Sequence, residues 1–242
     1  MTCLYRSCST NRVSREAAMF EYGPVLESDL PQVADVFAES FRDSVTHMFG
    51  DVVPLKAIED LFRACLDSEP GCFHVARDES RVAGYIFAPS STLRLWKIAL
   101  LRGHVLRWIG RWIRGEYGFR MRPVGALMAD KVGFMSSALT GGPYVDARIL
   151  SVAVSPQYRG RGLGSALVQA GLDYLERRGV FRVRLEVRPA NTPAVAMYTS
   201  FGFVEAGFTS DSQGKWMIMI RESRRPRRIE YGTGGDQRGI EG

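Results

Sequence analysis

Between residues 147 and 205 the chain carries residue types that can hold an anion and move protons. Arg159, Gly160, Arg161, Gly162, Leu163, Gly164 and Ser165 form a turn rich in arginine and glycine. The turn follows a stretch with strand patterning, 147–156, and opens a stretch with helical spacing, 163–178. A helix start exposes N–H groups without partners and carries partial positive charge. Glycines let such backbone approach a ligand closely and adopt positive φ. The turn therefore suits a pyrophosphate, and Arg159 and Arg161 add full charges that match phosphate oxygens. Further along, Glu186 stands between Leu185 and Val187 in a second strand, 181–188, and Tyr198 lies in a short helix that Asn191 can cap. A carboxylate in apolar surroundings is a candidate base whose pKa rises with burial, and a phenol is a candidate acid. The spacing thus points to a phosphorylated carrier beside an acid–base pair. Plainer structural readings stand next to these: a tightly packed strand–turn–helix corner, a solvent-facing or ion-paired Glu186, a core Tyr198 packed with Val195 and Phe201, and an Asn191 that only caps.

Other glycine-rich motifs fit poorly. A dinucleotide fingerprint starting at Gly160 needs glycine at Ser165, and a P-loop needs a lysine that the turn lacks. Cys3, Cys8, Cys65 and Cys72 form no C-x-x-C pair, and the histidines are scattered. Neither a zinc site nor a disulfide framework is indicated, and no cysteine sits in a motif that would support an acyl-enzyme. Cys65 and Cys72 read as reduced thiols in or near the core.

Residues 147–205 resemble the coenzyme A-binding half of the GNAT superfamily of N-acyltransferases. Arg159, Gly162 and Gly164 match the family turn R/Q-x-x-G-x-G/A, and Asn191, Tyr198, Gly202 and Phe203 match the later motifs in order. Leu185-Glu186-Val187-Arg188 is most similar to the ribosomal-protein alanine acetyltransferase branch. The resemblance implies acetyl-CoA as co-substrate, no metal, an amine acceptor (small molecule or protein amine) and direct transfer in a ternary complex. It implies that the turn 159–165 holds the pyrophosphate, with Asn191 in contact with coenzyme A. Edge backbone of Val152, Ala153 and Val154 would pair with the pantetheine arm like an added strand, and an N–H there would polarise the thioester oxygen. Glu186 would deprotonate the amine through water, and Tyr198 would return a proton to the thiolate. From other classes, a non-catalytic acyl-CoA sensor or scaffold and a peripheral membrane protein remain as alternatives.

The elements that must position these residues read in the order βααβββαβαββ, an α/β domain with a mostly antiparallel sheet flanked by helices. A strand covers 22–27. Ser28 or Asp29 caps a helix with Leu30, Val33, Val36, Phe37 and Phe41 at helical spacing, and Leu55, Ile58, Leu61, Phe62 and Leu66 mark a second. Strands at 72–77 and 81–88 flank the turn Asp78-Glu79-Ser80, and the last strands lie near 202–208 and 215–220. The domain spans 19–222. Residues 1–18 read as a disordered or mis-assigned extension without the hydrophobic run of a secretory signal, which makes the cytoplasm the expected location. The arginine- and glycine-rich tail 223–242 reads as disordered, and no specific nucleic-acid partner is expected.

A helical insertion, about 91–146, separates the third and fourth strands. Ile98, Leu101, Val105, Trp108, Ile109 and Trp112 share one face of a basic amphipathic helix interrupted by Gly103 and Gly110, with Lys97, Arg107, Arg111 and Arg114 opposite. Recurring charges exclude a membrane span. The face must be buried on the domain beside the acceptor entrance or on a second copy in a homodimer; contact with a membrane surface is the minority reading. The formal net charge is +6, but residues 19–90 hold 5 basic and 13 acidic side chains. The basic excess near the turn suits an anionic cofactor, and the acidic first part suits a cationic amine.

Overall fold

The computed structural model describes residues 19–50, 52–118 and 145–223. The expectations for 1–18, for most of the tail and for residues 119–144 of the insertion lie outside them. Strand β1 (Glu21–Pro24) pairs with β2 (Phe73–Asp78), and β2 forms a hairpin with β3 (Arg81–Phe87) through the expected turn, where Glu79 has φ 53°. β3 pairs with β5 (Ser151–Val154), completing a four-stranded antiparallel sheet. A second sheet has the order β4-β6-β8-β7: β4 (Arg148–Ile149) runs parallel to β6 (Arg182–Val187), and β8 (Gly214–Glu222) lies antiparallel to both β6 and β7 (Val204–Asp211).

β4 and β5 are consecutive parts of the one strand expected over 147–156. Leu150 N donates to Phe87 O at 3.0 Å, although Phe87 lies opposite Ser151 in the register. Two residues thus face one, which is a bulge, and a bulge bends the strand that carries it. Up to Ile149 the segment pairs with β6; beyond Leu150 it pairs only with β3.

Helices cover both faces of the first sheet. α1 (Leu30–Ser40) and α3 (Leu55–Ser68) pack on one face over an aromatic cluster in which Phe62 meets Phe73 at 5.4 Å and Tyr85 at 5.3 Å. Asp29 occupies the N-cap position of α1, but its carboxylate accepts from Leu26 N and from Arg77 on β2. A helix α2 (Arg42–Phe49) follows that the sequence pattern does not announce, because Val45 is the only fully buried apolar side chain among its described ones. On the other face lies α6 (Leu163–Arg177), with Leu163, Leu167, Leu172 and Leu175 buried. A short α7 (Thr192–Ser200) connects β6 to β7.

The described part of the insertion forms α4 (Thr92–Leu101) and α5 (His104–Ile113), and its two ends meet where Thr92 N donates to Asp146 Oδ1 at 3.0 Å. The helix breaks at Gly103 (φ 72°) but runs through Gly110. The change of axis at Gly103 divides the single apolar face that the wheel predicts, so Leu101 is 79% exposed and Ile109 47% exposed. Leu95 and Ala99 turn inward, and polar groups anchor the packing on α3. Both oxygens of buried Asp60 accept from Arg111 at 2.7 Å, Tyr117 donates to Asp60 at 2.6 Å, and His104 Nε2 lies 3.0 Å from Asp67. Arg111, which the wheel puts on the exposed basic side, is therefore an anchor.

Gly84 on β3 sets how closely β5 and α6 approach. A Cβ there would lie 2.7 Å from the backbone oxygen of Ala153 and 3.1 Å from Leu167 Cδ1. Gly84→Ala should destabilise the protein by about 1–3 kcal/mol through overpacking, read as a lower urea midpoint at unchanged slope.

Candidate active site

A cleft of about 1480 Å³ opens where β5 and β6 part. Val152, Ala153 and Val154 form one wall, and Leu185, Glu186 and Val187 of β6 the other. Ser155 N donates to Ala83 O at 2.9 Å, so by antiparallel alternation Val152 and Val154 turn their main-chain groups away from β3, into the cleft. Val154 O accepts from Arg159 Nε at 3.1 Å and Ser40 Oγ at 3.4 Å. The remaining edge groups can pair with an extended amide-bearing chain.

The glycine-rich turn stands at one end of this cleft. Gly162 adopts the left-handed conformation (φ 82°, ψ 0°) and leads the chain into α6, which leaves the first N–H groups of that helix without helical acceptors. Arg159 and Gly164 line the cleft and bracket the turn. Gly160, Arg161, Gly162, Leu163 and Ser165 are not among its lining residues; Leu163 points its side chain into the core, and Arg161 lies over the Tyr158 ring at 5.7 Å. A Cβ at Gly164 would lie 3.5 Å from Met197 Sδ, so α6 and α7 approach closely there. Asn191 lines the cleft while its side chain accepts from Ala194 N at 3.3 Å, the expected cap.

Glu186 and Tyr198 line the same cleft. The surroundings of Glu186 differ from the apolar setting expected. Leu185 and Val187 point to the opposite sheet face, as strand alternation requires, and Glu186 shares its own face with Arg184 and Arg148. Arg184 Nε donates to Glu186 Oε1 at 2.7 Å, and Arg148 donates to the same oxygen at 3.1 Å. Oε2 has no hydrogen-bond partner among the described residues. Arg184 is fully buried, and its two terminal nitrogens have no partner among the described residues. Tyr198 is 6% exposed and packs edge-on against Phe203 at 5.8 Å. Burial pushes its phenol up to about 12, so it keeps its proton throughout the neutral range. Cys65 and Cys72 are both buried and do not line the cleft, and burial pushes the Cys72 thiol up.

The far side of the cleft comes from residues the sequence does not single out. The α1–α2 junction contributes Glu39 and Asp43, and the β7–β8 hairpin contributes Gln213 and Trp216. Gln213 Oε1 accepts from Ser44 at 2.6 Å and from Arg188 at 3.3 Å, and the Arg188 guanidinium stacks over Trp216 at 3.8 Å. The Ser44 contact joins segments 169 residues apart, so no local sequence signal marks it.

The family model for the acetyltransferase (GNAT) family matches residues 32–203. The [ribosomal protein bS18]-alanine N-acetyltransferase of Salmonella typhimurium is 35% identical over 111 residues, which cover 46% of this chain and 73% of that protein. Among solved structures, SsHAT aligns with TM-score 0.60 and 21% identity over 84% of this chain and 98% of its own. The structure of yncA from Salmonella typhimurium with its cofactor acetyl-CoA aligns with TM-score 0.52 and 13% identity over 87% and 96%.

Glu186 is the counter-ion of a fully buried guanidinium. Removing one partner of a buried pair leaves the other charge uncompensated. Glu186→Gln should therefore lower unfolding free energy by about 3–5 kcal/mol, measured by urea denaturation followed by circular dichroism, whatever it does to turnover.

Proposed function

The chain belongs to the GNAT acetyltransferase family, and from that premise we propose how its cleft performs acetyl transfer. It is an N-acetyltransferase of a family that uses acetyl-CoA. The single observation that carries the mechanism is the parting of β5 and β6, which leaves Glu186 and Tyr198 lining the same cleft as the open edge of Val152–Val154. Residues 19–222 form the catalytic unit.

In this reading the pyrophosphate of acetyl-CoA rests on the N–H groups of the turn 159–165, with Arg159 and Arg161 at hand and Asn191 beside the cofactor. The pantetheine arm pairs with Val152–Val154 as an extra strand and carries the thioester into the parting. An edge N–H polarises the thioester oxygen. The acceptor enters from the opposite side, between the α1–α2 junction and the β7–β8 hairpin, where Glu39 and Asp43 favour an ammonium. Glu186 Oε2 takes a proton from the ammonium through water. The free amine attacks the thioester carbon, the C–N bond forms, the nitrogen gives up its second proton to water, and the C–S bond breaks with its electron pair on sulfur. Tyr198 gives its proton to that thiolate and is reprotonated from solvent. Both substrates are bound at once, so no acyl-enzyme forms. The acceptor is an amine of a protein or a small molecule; the bS18-alanine relative favours a protein N-terminus.

Two variants test this reading. Tyr198→Phe keeps the ring and its contact with Phe203 but removes the proton. It should lower kcat by about 10²–10⁴ with acetyl-CoA affinity unchanged by calorimetry. Release of coenzyme A at the wild-type rate, with the chemical step limiting, would make Tyr198 a packing residue. Gly162→Asp places a side chain and a negative charge at the start of α6 on a residue with φ 82°. Acetyl-CoA affinity should then collapse in a protein that still unfolds cooperatively. Near-normal affinity would remove the pyrophosphate from this turn.

A further inference from the structure

α4 and α5 are anchored to α3 on one side and, among the described residues, covered by nothing on the other. On α4, Leu93, Trp96 and Leu100 are 56%, 41% and 66% exposed; on α5, Leu106, Ile109 and Ile113 are 74%, 47% and 72% exposed. Each set recurs at intervals of three and four residues and so forms a stripe along its helix. Leu101, at the break between the helices, is exposed as well. Among the described residues, seven of the fifteen exposed large hydrophobic side chains lie on these two helices. That concentration separates them from the scattered apolar exposure of any surface. The stripes are flanked by cations. Arg94, Lys97 and Arg107 make no ion pair among the described residues, whereas Arg111 is held by Asp60 and Arg114 by Glu116.

We propose that the outer face of α4 and α5 docks on an anionic lipid surface, with the apolar stripes entering the headgroup boundary and Arg94, Lys97 and Arg107 meeting lipid phosphates. Charge selects this occupant. A second copy seated on the same face would bring two sets of unpaired cations together, with Glu116 the only acid on residues 91–118. Anionic headgroups neutralise those cations, and a tryptophan beside leucines suits the interface. No described helix is long and apolar enough to cross a membrane, and each of these has 10 residues. They would therefore lie in the interface. The inference rests on surface features alone and is independent of the catalytic reading.

The full chain is sedimented with phosphatidylcholine vesicles containing about 30 mol% phosphatidylglycerol and with phosphatidylcholine alone. Pelleting is expected with the anionic vesicles only, weakening as salt rises. Leu106→Glu with Ile113→Glu should lower the partition coefficient by roughly tenfold or more, with thermal unfolding and acetyl-CoA binding retained because both side chains are exposed. Lys97→Glu with Arg107→Glu tests the charge without touching the stripes and should weaken binding too. Failure of the wild type to pellet overturns the proposal. So does undiminished pelleting of the Leu106/Ile113 variant, which would locate attachment elsewhere on the chain. A dimer in gel filtration that the same variant abolishes, without vesicle binding, would give the face to a second copy.

Discussion

The site depends on a strand that cannot remain paired on both sides. Through Ile149 the segment after the insertion pairs with β6, while Arg148 N donates to Pro89 O just past β3; one bulge later it follows β3 alone. A regular strand would continue to pair with β6 and close the sheet. The parting leaves main-chain groups at Val152 and Val154 without strand partners, and unpaired edge groups are a template for another extended chain. It also creates the cleft onto which Glu186 and Tyr198 open from elements later in the chain. The remaining elements keep this parting in place. α6 presses on the far face of β3 and β5 through Gly84, and the Ser44–Gln213 contact ties the α1–α2 junction to the β7–β8 hairpin across the cleft.

Electrostatics add a second constraint. Burying an arginine completely is costly unless it is paired. Arg184 meets that cost through Glu186, whose Oε1 also accepts from Arg148. Gathering both donors on one oxygen fixes the rotamer and leaves the other oxygen for the cleft. The same carboxylate thus pairs the buried guanidinium of the second sheet and lines the cleft. Tyr198 is its opposite in character, a neutral phenol held against Phe203 and kept protonated by burial.

Outside the core, the insertion is attached by hydrogen-bonded charges as well as by apolar packing. Asp60, nearly fully buried on α3, accepts from Arg111 and Tyr117. These polar anchors fix the orientation in which one side of α4 and α5, with Leu95 and Ala99, turns inward and the other stays on the surface.

How much of this was legible in the sequence follows the range of each interaction. Helix α6, strand β6 and the cap at Asn191 were readable because periodicity and capping act within a few residues. The arginine–glycine turn and the order of Glu186, Asn191 and Tyr198 carried the family resemblance, and the family match bears it out. The ion-paired reading of Glu186 was available from the sequence, but its partners were not readable. Its chain neighbours are Leu185 and Val187, but a strand turns neighbours to opposite faces, and its real contacts come from Arg184 two residues away and Arg148 on another strand. The single apolar face drawn across the insertion failed because one residue, Gly103, turned the axis. Nothing local marked Ser44 for Gln213 or Asp60 for Arg111. The sequence by itself determined the elements and the family; tertiary structure decided where the strands part and which charges meet. Local periodicity is written in adjacent residues, whereas a cleft and its ion pairs exist only once distant segments have packed.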